Sequence, residues 1–367
     1  MKVLKCKIGW LLVVLIFMGQ SVSAKEFERS IKKSSPISMD GQVELSNTRG
    51  TIDVRTWNKN EVSIDVLITV NARNIRDANE VFDRIQIKFD SYKNTVNSRT
   101  IIRDVPKWNW NYVRSEYTVD YIVYMPKKCN LSLFNKYGDA LIAELEGKAS
   151  LTVQHGNIRL KTVERLLKLD LKYGNCTVAQ AANSDIKMVH GNIRLKKAEN
   201  IKFATSYSKI NVDEAADIKS TSVNDIYKLG IVQEFRNVGK YDKIEIKQVD
   251  NIIVVSKFTD FNIDVVNKHA DFDMVYGSVE IGKVTEGFSD ILMVGENTDF
   301  QLHVEEGSDY KMDATARYAN LKYPTVSNII CKDTKGDEQK VEFYVGKKIN
   351  PYSYIKARVK YGDVSVK

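Results

Sequence analysis

The stretch HGNIRL stands twice in this chain, at 155–160 and at 190–195, and both copies belong to a longer series. YGDALI starts at Tyr137, YGNCTV at Tyr173 and YSKINV at Tyr207. NDIYKL at Asn224, YDKIEI at Tyr241, FTDFNI at Phe258 and YGSVEI at Tyr276 continue it. The nine copies begin 17 or 18 residues apart throughout. A repeat this short cannot bury an apolar face alone, so its copies must stack on one another.

Each copy carries the same local instructions. An aromatic or histidine anchor is followed by Gly138, Gly156, Gly174, Gly191 or Gly277, then often by Asp139, Asn157, Asn175 or Asn192. Glycine beside Asp or Asn predicts a tight turn, because these residues tolerate positive φ. Apolar residues then alternate with polar ones, as in Ile158–Arg159–Leu160 and Ile193–Arg194–Leu195. That is the pattern of a half-buried strand. A small or β-branched residue follows (Val163, Ala181, Ala198, Ala215), and a second alternating segment, such as LKLDLK at 167–172, returns to the next anchor. The five prolines agree, since none falls between Pro126 and Pro324; proline inside a ladder removes a hydrogen bond. The expected fold is all-β: a parallel β-helix-like β-solenoid of about nine two-strand coils, 17–18 residues each, with irregular caps at both ends.

The flanks fit that plan. Residues 1–24 read as a secretory signal peptide: Lys2, Lys5 and Lys7, then IGWLLVVLIFMG, then QSVSA. Residues 25–130 form a first coil and a β-rich cap, with a short amphipathic helix near 76–86. The regular repeats span 131–295, and 296–367 holds looser coils and a cap that ends in YGDVSV. The mature chain of about 343 residues has no further apolar run of spanning length. Loss of the three signal lysines lowers the formal net charge from +8 to +5, with acids interspersed, which is unlike a nucleic-acid-binding tail. Cys129, Cys176 and Cys331 are too few for a disulfide framework, although one bond between two of them is open.

VELSNTRGTIDVRTWNKNEVSIDV at 43–66, followed by VDYIVYMPKKCNLSLFNKYGDALIAELEGKASLTVQHGNIRL at 119–160, resembles a family of secreted bacterial domains of unknown function. The family goes by the name of adhesins or auto-transporter-adhesin-like head domains and is common in Bacteroidota. The resemblance implies a β-solenoid at the periplasm or cell surface, and it brings no catalytic residues with it.

Site candidates divide by what spacing permits. In a stacked solenoid His155 and His190 lie two strand spacings apart, roughly 10 Å, with Tyr173 between them. They therefore belong to a column Tyr137–His155–Tyr173–His190–Tyr207 along one corner rather than to one metal, and no metal or cofactor is expected. Arg159 and Arg194, with Lys161 and Lys196 two residues on, form an outward basic row suited to an acidic glycan or another envelope component. Trp108, Trp110 and Tyr112 alternate with asparagines, so in a strand their rings share one face and could stack on sugars. Asp139 and Asp260 would stand on the order of 34 Å apart, far beyond the about 5–9.5 Å of glycosidase carboxylates. Cys176 falls at an inward position, as a buried inert thiol. The leading expectation is a non-enzymatic, exported envelope module that binds a ligand or serves structure, with the protein partner unspecified. The alternatives are a polysaccharide lyase-like enzyme on a β-helix and an accessory of envelope signalling.

Overall fold

The computed structural model describes residues 25–103 and 116–367. They are almost entirely β, with one short helix. Strands pair in parallel with the equivalent residue of the neighbouring repeat. Ile158 faces Ala140, Ile193 faces Ile210, Ile210 faces Tyr227 and Tyr227 faces Ile244. The returning segments form a second parallel ladder, in which Ala149 lies between Leu131 and Leu167 and Ile218 lies between Ile201 and Phe235. The result is a solenoid-like stack with like residues above like. The alternating positions read as inward are buried, including Ile158, Leu160, Ile193, Leu195, Ile210 and Val212.

The anchor corner departs from the sequence reading. Positive φ belongs to the anchor itself: 54° at His155, 56° at Tyr173, 53° at His190 and 58° at Tyr137. Asn224, Tyr241, Phe258, Tyr276, Tyr318 and Tyr361 share it, between 53° and 60°. The left-handed conformation costs an L residue roughly 1–2 kcal/mol. Stacking of the exposed rings, worth about 0.5–1.5 kcal/mol per pair, offsets it. Gly277 also has positive φ, at 150°, whereas Gly138, Gly156, Gly174 and Gly191 do not and serve close approach instead. A Cβ on Gly156 would sit 2.0 Å from the Gly138 carbonyl oxygen, one on Gly174 1.9 Å from that of Gly156, and one on Gly138 1.9 Å from that of Gly50. The Asp and Asn residues run up the same corner as a ladder: Asn157 donates to Asp139, Asn175 to Asn157 and Asn192 to Asn175.

Both ends are interleaved rather than laid down in chain order. The strand Ile52–Trp57 lies between Glu116–Pro126 and Ala140–Leu145, and Gln42–Thr48 lies between Thr95–Ile102 and Asn130–Lys136. At the other end Val364–Val366 enters between Asp290–Val304 and Leu321–Lys322. Ser353–Lys360 likewise separates Asp290–Val304 from Tyr310–Arg317. Antiparallel strands then cover the ends: Lys25–Pro36 on Glu61–Ala72, and Asn328–Lys335 on Glu338–Val345. The closing YGDVSV copy is thus inside the stack, where both of its edges are paired. The helix is Ile75–Phe82, capped by the Asn74 side chain, and buries Ala78, Val81 and Phe82. It stops short of the expected span because Ile85–Tyr92 pairs as a strand with Thr95–Ile102.

Candidate functional site

Three features are set by the repeat. The first is the outer column of rings. Tyr137, His155, Tyr173, His190 and Tyr207 stack in that order with centroids 4.9–5.2 Å apart. Tyr241–Phe258–Tyr276 and Tyr318–Tyr361 continue it after Asn224 and Asn297 interrupt. Tyr173 fills the space between the histidines, so they do not converge. Ring faces are turned on one another, which leaves mainly edges for a ligand. Among the described residues no group of three or more His, Cys, Asp or Glu could hold a metal ion.

The second is the outward surface of the strands that follow the anchors. Arg159 and Lys161 are exposed there, as are Thr177 and Ala179 one repeat on and Arg194 and Lys196 two repeats on. Arg159, Lys161, Thr177, Ala179 and Lys196 line one open groove of about 470 Å³, whose floor includes Leu141 and Ala143. Arg194 borders the next depression and pairs at 3.7 Å with Asp213. The predicted basic residues therefore share one face, but only Arg159 of the two arginines enters this groove. Trp108, Trp110 and Tyr112 lie outside the described residues, as does the segment read as a signal peptide.

The third feature was not seen in the sequence. From Tyr207 to Phe258 the residue after the anchor is Ser208, Asp225, Asp242 or Thr259 in place of glycine, and all four are buried. Each side chain reaches back to the preceding corner. Asp225 Oδ1 accepts from the Ser208 amide at 2.7 Å, Asp242 Oδ1 from the Asp225 amide at 2.8 Å, and Thr259 Oγ1 from the Asp242 amide at 3.3 Å. Thr205 donates to Asp225 at 2.6 Å and lies 2.8 Å from the Tyr227 hydroxyl, while Ser222 donates to Asp242. Burial raises the carboxyl of Asp225 to about 6, with the neighbouring Asp242 charge adding to it. Burial also raises Asp242, and it pushes the Tyr227 phenol up. An Asp after each anchor reads as a turn residue. Only the inward Thr205, Ser220, Ser222 and Asn237, at positions occupied by apolar residues elsewhere, hinted at a polar interior.

The cysteines are unpaired: Cys129 and Cys176 are buried and Cys331 is exposed. Burial pushes the thiols of Cys129 and Cys176 up to about 11 and about 12, which leaves both protonated and inert. No helix among the described residues is long and apolar enough to cross a membrane.

No family model matches the chain, and no curated protein matches it. Among solved structures it is similar to a putative cell adhesion protein from Clostridium sporogenes, 8% identical over 93% of this chain and 99% of that one, with a TM-score of 0.20. It is similar also to an adhesin of the same standing from Parabacteroides merdae, 9% identical over 75% and 96%, with a TM-score of 0.29. A protein of Parabacteroides distasonis described in the same terms as lipid binding is 10% identical over 92% and 96%, with a TM-score of 0.21. Superpositions this loose carry neither function nor site to this chain.

Proposed function

We propose that the chain is a non-enzymatic, exported module of the cell envelope, periplasmic or on the surface, that presents its outer faces to a ligand. It is a parallel β-helix of about nine regular coils held between two caps, and it belongs with the adhesin-like proteins that its sequence resembles. One observation carries the reading: the outward chemistry-bearing side chains are spaced by the repeat along faces instead of converging on a point. Arg159, Lys161 and Lys196 open onto a strand-mounted groove, and the histidines are held apart by Tyr173. Extended surfaces of this kind suit recognition of extended molecules. Trp108, Trp110 and Tyr112 form a second candidate contact, as rings able to stack on sugars.

A glycan array and a pulldown from envelope extracts test this. Wild type is compared with Arg159→Ala/Arg194→Ala and with Trp108→Ala/Trp110→Ala. A retained ligand that either double variant loses supports the module and says which surface binds. Turnover of a polysaccharide by the wild-type chain, abolished in Arg159→Ala, would replace it with the lyase-like alternative.

A further inference from the structure

Some cations of the stack are neutralised across neighbouring repeats. Arg194 meets Asp213, Lys197 meets Glu214, Lys228 meets Glu245, and Lys268 meets Asp250. In the first coil Arg55 is clamped by Asp53. Arg159, Lys161 and Lys196 have no carboxylate within ion-pair distance among the described residues, a property they share with Lys168, Lys172 and Lys202 of the other ladder. What sets the first three apart is that they gather on one groove whose own carboxylate, Asp53, is held by Arg55. All three are exposed and line the same groove. Between the row of Arg159 and Lys161 and the row of Lys196 lies a low row, Thr177 and Ala179. Leu141 and Ala143 make a second low row on the other side. Two strand spacings set the basic rows about 10 Å apart, and the parallel ladder fixes that distance.

We infer that this groove binds a linear acidic polysaccharide that carries a carboxylate or sulfate on alternate sugars. Alternate sugars of an extended chain place their charges at a spacing comparable to that of the basic rows. One uncharged ring lies over the small side chains of Thr177 and Ala179, and another, beyond Arg159 and Lys161, sets its apolar face on Leu141 and Ala143. The groove's other features exclude competing occupants. No aromatic ring is among its lining residues to stack a nucleic-acid base. It is open and shallow, unlike a pocket that encloses an acyl chain. The strands beneath it are paired on both sides, so a peptide cannot add to an edge there. Beyond Lys196 the surface turns mixed, with Asp213 and Glu214 in the following repeat. The polyanion site is therefore confined to the stretch between Arg55 and Lys196.

This inference rests on the chain being a binding module, and its test separates the two. Titration calorimetry is run with oligo-uronates and sulfated oligosaccharides of increasing length, a neutral oligosaccharide, inorganic phosphate and anionic phospholipid vesicles. Affinity is expected to rise with oligosaccharide length and to fall with added salt. Lys161→Glu and Lys196→Glu should each weaken it about tenfold or more, through loss of a charge-assisted contact and added repulsion. Ala179→Glu should block the valley while leaving the basic rows in place. Lys202→Glu, exposed on the other ladder, should have little effect. Equal losses in Lys202→Glu would reduce the effect to net charge and overturn the site. So would equal affinity for the vesicles or for phosphate. A neutral glycan bound in the array with the groove variants unaffected would refute this ligand and leave the module standing; silence in array, pulldown and titration alike would remove both.

Discussion

The corners from Tyr137 to Gly191 and those from Tyr207 to Thr259 make the same bend with different chemistry. In the first group glycine lets adjacent backbones touch, and no side chain could enter. In the second a buried side-chain oxygen takes the amide of the preceding corner. The glycine corner is neutral and intolerant of bulk. The polar corner admits a side chain but stacks two carboxylates in the interior, at the expense of a charge that burial disfavours.

Gly156→Ala attacks the first solution directly. Its Cβ would meet the Gly138 carbonyl at 2.0 Å, and both groups are backbone. Thermal or denaturant unfolding should show a loss of roughly 3 kcal/mol or more, beyond ordinary overpacking. Ser208→Ala at the equivalent position should lose only about 1 kcal/mol, for its hydrogen bonds. Similar losses in the two variants would erase the distinction between the corners.

Asp225→Leu strands the buried Ser208 amide and leaves the Thr205 hydroxyl only Tyr227 as partner, and should destabilise by about 1–3 kcal/mol for the amide left unsatisfied. Asp225→Asn keeps the shape and tests the charge. The folded carboxyl titrates near 6, above its unfolded value of about 3.9. Its contribution is therefore fully present below about pH 4 and is lost as pH rises through 6. The difference in melting temperature between Asp225→Asn and wild type should accordingly shift in the variant's favour from pH 4 to pH 8. A pH-independent difference would mean that the carboxylate is accommodated without strain.

The ring column gives the smallest effects. Tyr173→Ala removes two stacks but keeps a left-handed residue, for a loss of about 1–2 kcal/mol. Tyr173→Asn should lose less, because asparagine tolerates that conformation and already occupies it at Asn224 and Asn297. If Asn proves no better than Ala in unfolding experiments, backbone strain is not what the anchor position selects against.

The repeat made much of this legible. Period-two alternation marked the inward residues Ile158, Leu160, Ile193 and Leu195, and the 17–18-residue step stacked Tyr137 through Tyr207 and kept His155 from His190. Arg159 and Arg194 were legible as neighbours on one face, because outward positions inherit the same step. The groove was not, since it depends on Thr177 and Ala179 being low and on Asp213 drawing Arg194 aside. Gly138, Gly156, Gly174 and Gly191 were assigned the positive φ that belongs to the anchors, while Gly277 does adopt it; a glycine needed for contact and one needed for conformation look alike in a sequence.

Spacing alone could determine the coils because one repeat in sequence is one strand separation in space, so local pattern and tertiary contact coincide. At the ends that coincidence fails. Phe300 pairs with Val364 and Ile52 with both Tyr121 and Ala140. Asp225 and Asp242 likewise share one polar interior only because Thr205, Ser222 and Asn237 point inward beside them. Those contacts join segments whose separation no period encodes or whose side chains meet across the core, and only the tertiary structure decided them.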